Sequence, residues 1–509
     1  MAEEIELKLI APAETLAAVR AHPAVTAAVR GRMRTRELVS TYYDTPGRDL
    51  AAAGVALRLR RAGARWLQTV KGEGDAAAGV HRRTEFEWRL SAPKLDTTKL
   101  IRTPWRKLFA STHGRYGPVF ATAVRRSELP LAFADGTRAT LCLDIGEIRA
   151  GRRRAALTEI EVELTRGDPS RLFELASALA ADLPVRVTHT SKAERGHALA
   201  RGAAPSPRKS RPIKLPPEAT REAALAAIAT ECIAQIEANA EAMLAHDNPE
   251  YLHQLRVGWR RLRSLLKLAA PFVPVESLAP LEEELRWLGS VLGPARDCDV
   301  FGVETLPKVA AEFRGRREIA RLRARVTRRR RHLSGIAREA VATPRFQQLL
   351  LALGAFFATL AGAPGSAPAP TLARDWIGPV LQQRHDKLSR RARRIHRVGA
   401  ADRHRARVAA KKLRYAAEFF APLVSSKRAE AYLAALSKLQ SVLGRLNDFE
   451  IAGKLLDELA PGEDGSPAPG VAHAIGIVHG WLAASVAPEL KRLRKASRAF
   501  AKCEPFWHA

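Results

Sequence analysis

The chain has 509 residues, of which 46% are hydrophobic and 27% charged, and it carries 84 Lys and Arg against 53 Asp and Glu, a formal charge of +31. That length predicts two to four domains, and the apolar content excludes wholesale disorder because it is enough to build cores. The excess of base predicts polyanionic partners, while four scattered cysteines (Cys142, Cys232, Cys298 and Cys503), without CxxC or zinc-spaced histidines, indicate neither a disulfide framework nor a zinc site.

The opening MAEEIELKLI is acidic where a secretory signal is basic, and no apolar h-region follows, so a cytoplasmic protein is expected. In EIELKL, period-two alternation sets Glu4, Glu6 and Lys8 on one strand face and Ile5, Leu7 and Leu9 on the other. A helix is expected over 13–30. VALRLR, RTEFEWRL, ATLCLDIG and TEIEVEL then read as strands between turn signals, with a hairpin at the ADG of 134–136. A second helix is expected over 169–183, opened by Asp-Pro-Ser. Glu159, Glu161 and Glu163 share one face of TEIEVEL, and the strands between the two acidic ones carry Arg58, Arg60, Lys71, Arg83 and Arg126, with Lys192 following. Residues 1–202 are therefore expected to form an α+β domain.

The stretch 203–217, AAPSPRKSRPIKLPP, suits an extended linker. From 218 to 509 the pattern is all-α, with long amphipathic helices and breaks expected at 271–274, at Pro294, and around 362–370 and 461–470. Here HQLRVGWRRLR from His253 matches HRARVAAKKLR from His404, and LRWLGSVLGPARDCD from Leu285 matches LSKLQSVLGRLNDFE from Leu436, both at an offset of 151. Two matches at one offset predict a duplicated unit, with a four-helix bundle in each of 218–362 and 371–505. The longest apolar run, Leu349 to Gly362, falls short of the roughly 20 residues a membrane span needs, so no membrane partner is expected.

Strand alternation does not say which face points inward, and a solvated acidic face over an apolar core is the common outcome. Two features favour the reverse. Like charges about 7 Å apart on one face are tolerated best beside a cation, and acid and base are segregated by strand. A barrel with these faces inward has one wall for hard metal ions and another for phosphate oxygens.

The ordered series ExExK (Glu4, Glu6, Lys8), YYDT (Tyr42 to Thr45), RLR (Arg58, Arg60), TVKG (Lys71), RxExE (Arg83, Glu85, Glu87), LDxGEI (Asp144), ExExE (Glu159, Glu161, Glu163) and SKAERG (Lys192) resembles the CYTH domains of the triphosphate tunnel metalloenzymes over about residues 1–200. The resemblance implies a closed antiparallel β-barrel forming a hydrated tunnel. It also implies Mg²⁺ or Mn²⁺ held by Glu4, Glu6, Glu159, Glu161 and Glu163, with Asp144 equally a ligand or a turn residue. Lys8, Arg58, Arg60, Lys71, Arg83, Arg126 and Lys192 are the expected grip on triphosphate. Phosphoryl transfer to water then needs no covalent nucleophile. Candidates for the water's proton are Glu85, Glu87 and Lys192, although Glu87 equally fits as an arginine's partner; Tyr42 and Tyr43 are expected to pack.

In the helical half His253, Arg256, Arg260, Arg263 and Lys267 share one helix face, and His404, Arg407, Lys411 and Arg414 repeat it. A solvated basic face is the usual explanation, but the histidine recurs in both copies. The HxxRVxxRRLR and HxxRVxxKKLR motifs resemble the CHAD domain from about 218 to 498, which implies two pseudo-symmetric four-helix bundles and a basic surface that binds inorganic polyphosphate. Arginines at 328–331 and 390–394 extend that track or are solvated surface. Asp297 and Asp448 fit as arginine partners, and Asn447 stands where the first copy has Arg296. Together these predict a divalent-metal-dependent hydrolase of inorganic triphosphate, giving phosphate and pyrophosphate, with helical recruitment of polyphosphate. The same barrel suits thiamine triphosphate, nucleoside triphosphates or ATP cyclisation, though no aromatic-lined base pocket is recognisable. A non-catalytic polyphosphate scaffold is the next alternative. Nucleic-acid binding ranks third, because only 6% of residues are aromatic and stacking platforms are not obvious.

Overall fold

The computed structural model describes residues 2–72, 74–362, 371–424, 427–460 and 469–508. The breaks expected within 363–370 and 461–468 lie outside these residues. In chain order the strands are β1 (Ala2–Ile10), β2 (Arg34–Asp44), β3 (Ala56–Ala62), β4 (Arg65–Lys71), β5 (Asp75–Ala77), β6 (Val80–Leu90), β7 (Gly117–Ala132), β8 (Arg138–Ala150), β9 (Arg153–Arg166) and β10 (Arg186–Val187). Eight of them pair in the order β1-β9-β8-β7-β2-β3-β4-β6, all antiparallel, and β6 returns to β1, which closes the barrel and leaves no edge among the eight.

Closure gives each strand an inner and an outer face, and both are covered. On β1 the outward Leu7 and Leu9 are fully buried, and helix Ser170–Asp182 packs on this strand. That helix matches the one expected over 169–183. The helix expected over 13–30 is split into Thr15–Ala21 and Pro23–Ala28. Pro23 lacks the N–H that would continue the first piece, and His22 caps the second by accepting from Ala24 N at 3.2 Å.

Inside, one end of the barrel is apolar: Tyr42, Phe120, Ile148 and Leu157 cluster there with Ala193 and Leu199 of helix Lys192–Arg201 packed against them. The Tyr42 and Phe120 rings stack at 4.4 Å. Gly196 lets the helix approach, since a Cβ there would stand 2.0 Å from the Phe120 ring. A capping box between Ser191 and Glu194 fixes the helix start and so delivers Lys192 to the barrel interior.

The chain forms two compact units, Met1–Ser210 with Thr230–Leu255 and Val341–Gly362, and Arg211–Ala229 with Arg256–Ala340 and Ala363–Ala509. In the second, helices Ala373–Ala392, Ala400–Phe420, Lys427–Glu458 and Pro469–Ala501 pack on one another in sequence order. Helix Val275–Asp299 runs on past Pro294, where a break was expected. Leu281, Leu285, Leu288, Leu292 and Ala295 form one buried stripe along it, and that burial outweighs the roughly 3 kcal/mol a helical proline costs. The apolar run from Leu349 lies in the longer helix Pro344–Gly362, which, like Gly470–Ala501, is long and apolar enough to cross a bilayer by length and composition alone. Pro344–Gly362 buries Phe346, Leu350, Leu353 and Phe357 within its own unit.

Candidate active site in the barrel and a basic cluster in the helices

The acidic faces of β1 and β9 point inward. They lie side by side in register, Glu6 opposite Glu163 and Lys8 opposite Glu161. Asp144 on β8 lies between Arg126 on β7 and Glu159 on β9, and Lys71 on β4 lies opposite Glu85 on β6. These side chains surround a cavity of about 790 Å³ whose wall includes Glu4, Glu6, Glu161, Glu163, Arg58, Arg60, Lys71, Glu85, Glu87, Arg126 and Lys192.

The deepest layer is already neutralised. Asp144, Glu159 and Glu161 bring carboxylate oxygens within 4.8 Å of one another, a spacing that suits a cation. The Lys192 ammonium takes that place, 3.0 Å from Asp144 and 2.7 Å from Glu161 and bonded to Glu159. Arg126 donates to both Asp144 oxygens at 2.7 and 2.6 Å and also reaches Glu161, while Arg195 pairs with Glu159. Burial alone raises a carboxylic acid, but Lys192, Lys8 and Arg126 outweigh it and hold Glu161 well below the usual range. Conversely, burial would lower Lys192, yet Glu159, Glu161 and Asp144 raise it and keep it protonated.

Nearer the opening the balance reverses. Lys8 lies 2.8 Å from Glu6 and 3.2 Å from Glu161, at an angle that leaves the buried Glu6 Oε1 without a hydrogen bond. Lys71 pairs with Glu4 at 2.6 Å and Glu85 at 3.1 Å, and Arg58 reaches Glu85 at 3.5 Å. Glu163 has no ion pair among the described residues. Burial, then the charges of Glu4 and Glu6, push its carboxyl up to about 7. Glu4 is also raised, by burial and against Lys71. On the opposite wall burial and the neighbouring Arg58 and Arg126 lower Arg60 to about 10. One wall thus has surplus negative charge and the other surplus positive charge. Glu4, Glu6 and Glu163 are the oxygen donors that fit a hard divalent cation, because their mutual repulsion is what such an ion relieves.

Lys8 sits beneath the cavity surface. Arg83 is absent from the wall, and its Nη2 meets His81 Nδ1 at 2.7 Å. Asp144 and Glu159 are fully buried behind Lys192. Three contributors were not singled out from sequence: Arg36 and Glu128, which line the cavity, and Arg195. Glu128 is two residues past Arg126 on the same strand face, and Arg195 is one helical turn past Lys192, so both carried a periodic signal. Phe86 and Trp88 border the cavity through β6 but alternate with the inward Glu85 and Glu87; their rings, 6.0 Å apart, lie on the outer face, where Trp88 packs on the Leu50, Leu57 and Val70 cluster.

In the second unit the two helix copies meet electrostatically. Arg256 and Arg260 of helix Pro249–Ala269 interact with Arg407 and Lys411 of helix Ala400–Phe420, and Asp297 and Asp448 face the same group. Burial, then Arg260 and Arg407, lower the Lys411 amine to about 6. Buried donors on Arg256 (Nε, Nη1), Arg260 (Nε) and Arg407 (Nε) make no hydrogen bond. Arg263 lies over the Trp259 ring at 4.9 Å, Arg414 pairs with Glu418 at 3.3 Å, and His404 Nδ1 meets Asn447 Oδ1 at 3.0 Å. His253 stands half-buried, three residues before Arg256. Of the extra arginines, Arg330 pairs with Asp299 at 3.0 Å.

The model of the CYTH domain family matches residues 2–197, and that of the CHAD domain family matches 227–457. An inorganic triphosphatase of Haemophilus influenzae is 30% identical over 164 residues, 32% of this chain and 46% of that protein, so the match spans about half the length of this relative. An uncharacterized protein of Mycobacterium tuberculosis is 29% identical over 426 residues, 75% of this chain and 76% of its own length. The crystal structure of the CHAD domain from the plant Ricinus communis aligns with 36% identity and a TM-score of 0.51, covering 58% of this chain and 97% of that one. An inward-charged closed barrel followed by duplicated basic helices, each matched in turn along the chain, identifies a CYTH domain at residues 2–197 and a CHAD domain at 227–457.

Proposed function

We propose that the barrel hydrolyses inorganic triphosphate, or a short polyphosphate chain, to phosphate and pyrophosphate in the cytoplasm with Mg²⁺ or Mn²⁺. The observation that carries the reading is a cavity with surplus carboxylate on one wall, where Glu163 has no ion pair among the described residues, and Arg60, likewise without one, on the other; the partial likeness to an inorganic triphosphatase supports it. Glu4, Glu6 and Glu163 would hold the metal, which when bound supplies a Lewis acid that offsets charge developing on the phosphate. Arg58, Arg60, Arg126 and Lys71 bind phosphate oxygens through charge-assisted hydrogen bonds, and the Lys8 and Lys192 ammonium groups hold the innermost phosphate. Lys192, kept protonated by three carboxylates, anchors the floor rather than accepting a proton. Glu85 is held by Lys71 and Arg58. Glu87 accepts from Thr69 Oγ1 at 3.2 Å and has no ion pair among the described residues, so its carboxylate takes the proton of the attacking water.

The test is phosphate release by the full chain with Mg²⁺ or Mn²⁺ against inorganic triphosphate, ATP, thiamine triphosphate and pyrophosphate. Preference for inorganic triphosphate supports the reading, and no turnover with either metal overturns it. Preferred turnover of ATP or thiamine triphosphate would select an organic triphosphate instead.

For the helical region we propose inorganic polyphosphate binding at Arg256, Arg260, Arg407 and Lys411, because buried guanidinium donors without partners match an anion with many acceptor oxygens. His253, Arg263, His404 and Arg414 are proposed to flank it. Competition between polyphosphate and duplex DNA tests this, and preference for DNA overturns it.

A further inference from the structure

Two acidic residues outside the barrel bond to segments next to the interior lysines, Glu237 through backbone amides and Glu241 through threonine hydroxyls. Glu237 is 3% exposed, and its carboxylate accepts from Ala78 N and Gly79 N, each at 2.9 Å. Those amides belong to the two-residue turn between β5 and β6, where Ala78 (φ +51°) and Gly79 (φ +75°) are both left-handed. Successive left-handed residues turn their N–H groups outward together, and such a pair needs an anionic or carbonyl acceptor when buried. The fit is tight, since a Cβ on Gly79 would lie 3.0 Å from Lys8 O. One helical turn on, Glu241 accepts from Thr188 Oγ1 at 3.2 Å and Thr190 Oγ1 at 3.0 Å.

Both grips lead to Lys8. Its N–H donates to Gly79 O at 2.8 Å, and its carbonyl accepts from Thr188 N at 3.2 Å. Glu237 therefore holds the segment on one side of Lys8, and Glu241 holds the segment on the other. Thr190 also precedes Ser191, the cap that starts the helix at Lys192. Glu237 and Glu241 lie in the stretch matched by the CHAD model, the two lysines in that matched by the CYTH model, yet all four belong to one compact unit.

We infer that Glu237 and Glu241 are positioning residues that set where the Lys8 and Lys192 ammonium groups stand in the barrel. The inference rests on the phosphate-binding reading of those lysines, and the helix carrying both glutamates is thereby a working part of the barrel.

The test uses the full chain with Glu237→Ala, Glu241→Ala, the double variant, and Glu241→Gln, which keeps an acceptor oxygen for Thr188 and Thr190. The first measurement, amide hydrogen exchange at Lys8 and Thr188, needs no turnover. Exchange about tenfold faster in the alanine variants is expected. The second is KM for inorganic triphosphate with Mg²⁺. Lysines that bind the anion in ground and transition state alike raise KM about tenfold when displaced and leave kcat within about threefold, whereas a partly unfolded sample lowers apparent kcat at unchanged KM. Glu241→Gln is expected to restore KM to within about twofold. Unchanged exchange at Lys8, or unchanged KM, in the double variant overturns the inference. If the double variant does not fold, the single variants decide by the same readings. If the unaltered chain turns over no triphosphate, the catalytic reading fails and hydrogen exchange alone decides the positioning role.

Discussion

Glu163 and Lys192 sit in one barrel under opposite electrostatic balances, and their substitutions should separate function from stability. Glu163→Gln removes a charge repelled by Glu4 and Glu6, so metal-dependent phosphate release should fall by more than about 100-fold while the urea midpoint holds or rises. Lys192→Met leaves Asp144, Glu159 and Glu161 uncompensated in a buried layer and should cost about 3–5 kcal/mol; a loss below about 1 kcal/mol on the same urea curves would refute its anchoring role. The two sites also respond oppositely to pH. Glu163, raised from 4.5 to about 7, contributes stability that is present below 4.5 and lost as pH rises through about 7. Glu161 and Asp144, both depressed, contribute stability that is present above 4.5 and 3.8 respectively and lost as pH falls through their folded values. In chelator-treated protein the urea midpoint of the unaltered chain relative to Glu163→Gln should therefore decline between pH 5 and 7.

The strand is the element at which alternation carries most information and its orientation carries least. Period two grouped Glu4 with Glu6 and Glu159 with Glu161 and Glu163, but the same pattern fits a solvated face. Barrel closure settles it, leaving Glu6 4%, Glu161 5% and Glu159 0% exposed. The sequence left Asp144 equally a ligand or a turn residue, and it did not say that Lys192, Arg126 and Arg195 neutralise Asp144 and Glu159. Those partners come from β7 and from a helix after β10, and one-dimensional periodicity has no term for such distances. The basic helices were legible in the same partial way, as two stripes without a meeting point. Where they meet, Lys411 is crowded by Arg260, Arg407 and Arg256, with Asp448 opposing. Lys411→Met should stabilise the protein by about 1 kcal/mol on denaturation and weaken polyphosphate binding. In the unaltered chain, polyphosphate binding should strengthen as pH falls toward 6, where the amine charges; titration calorimetry across pH 6 to 8 checks it, and an equal gain in Lys411→Met would contradict the assignment.

On the scale of the whole molecule the two activities should separate. Replacing both Arg256 and Arg407 by alanine should weaken polyphosphate binding and spare turnover of short chains, as measured by competition binding and phosphate release on one preparation. Above pH 7, where Lys411 is largely neutral, the three arginines contacting phosphate imply roughly a 20-fold loss of polyphosphate affinity between about 50 and about 200 mM salt. By itself the sequence determined the alternating strands, the segregation of acid from base and the duplication at 151 residues, because each is a periodicity that burial imposes on neighbouring positions. Only the tertiary structure decided which carboxylates stay uncompensated, that Lys192 neutralises the three deepest ones, and that Glu237 and Glu241 hold the segments on either side of Lys8. Those outcomes depend on pairing between residues distant in the chain, and a few ångströms of barrel closure decide whether opposite charges meet or like charges are left facing one another.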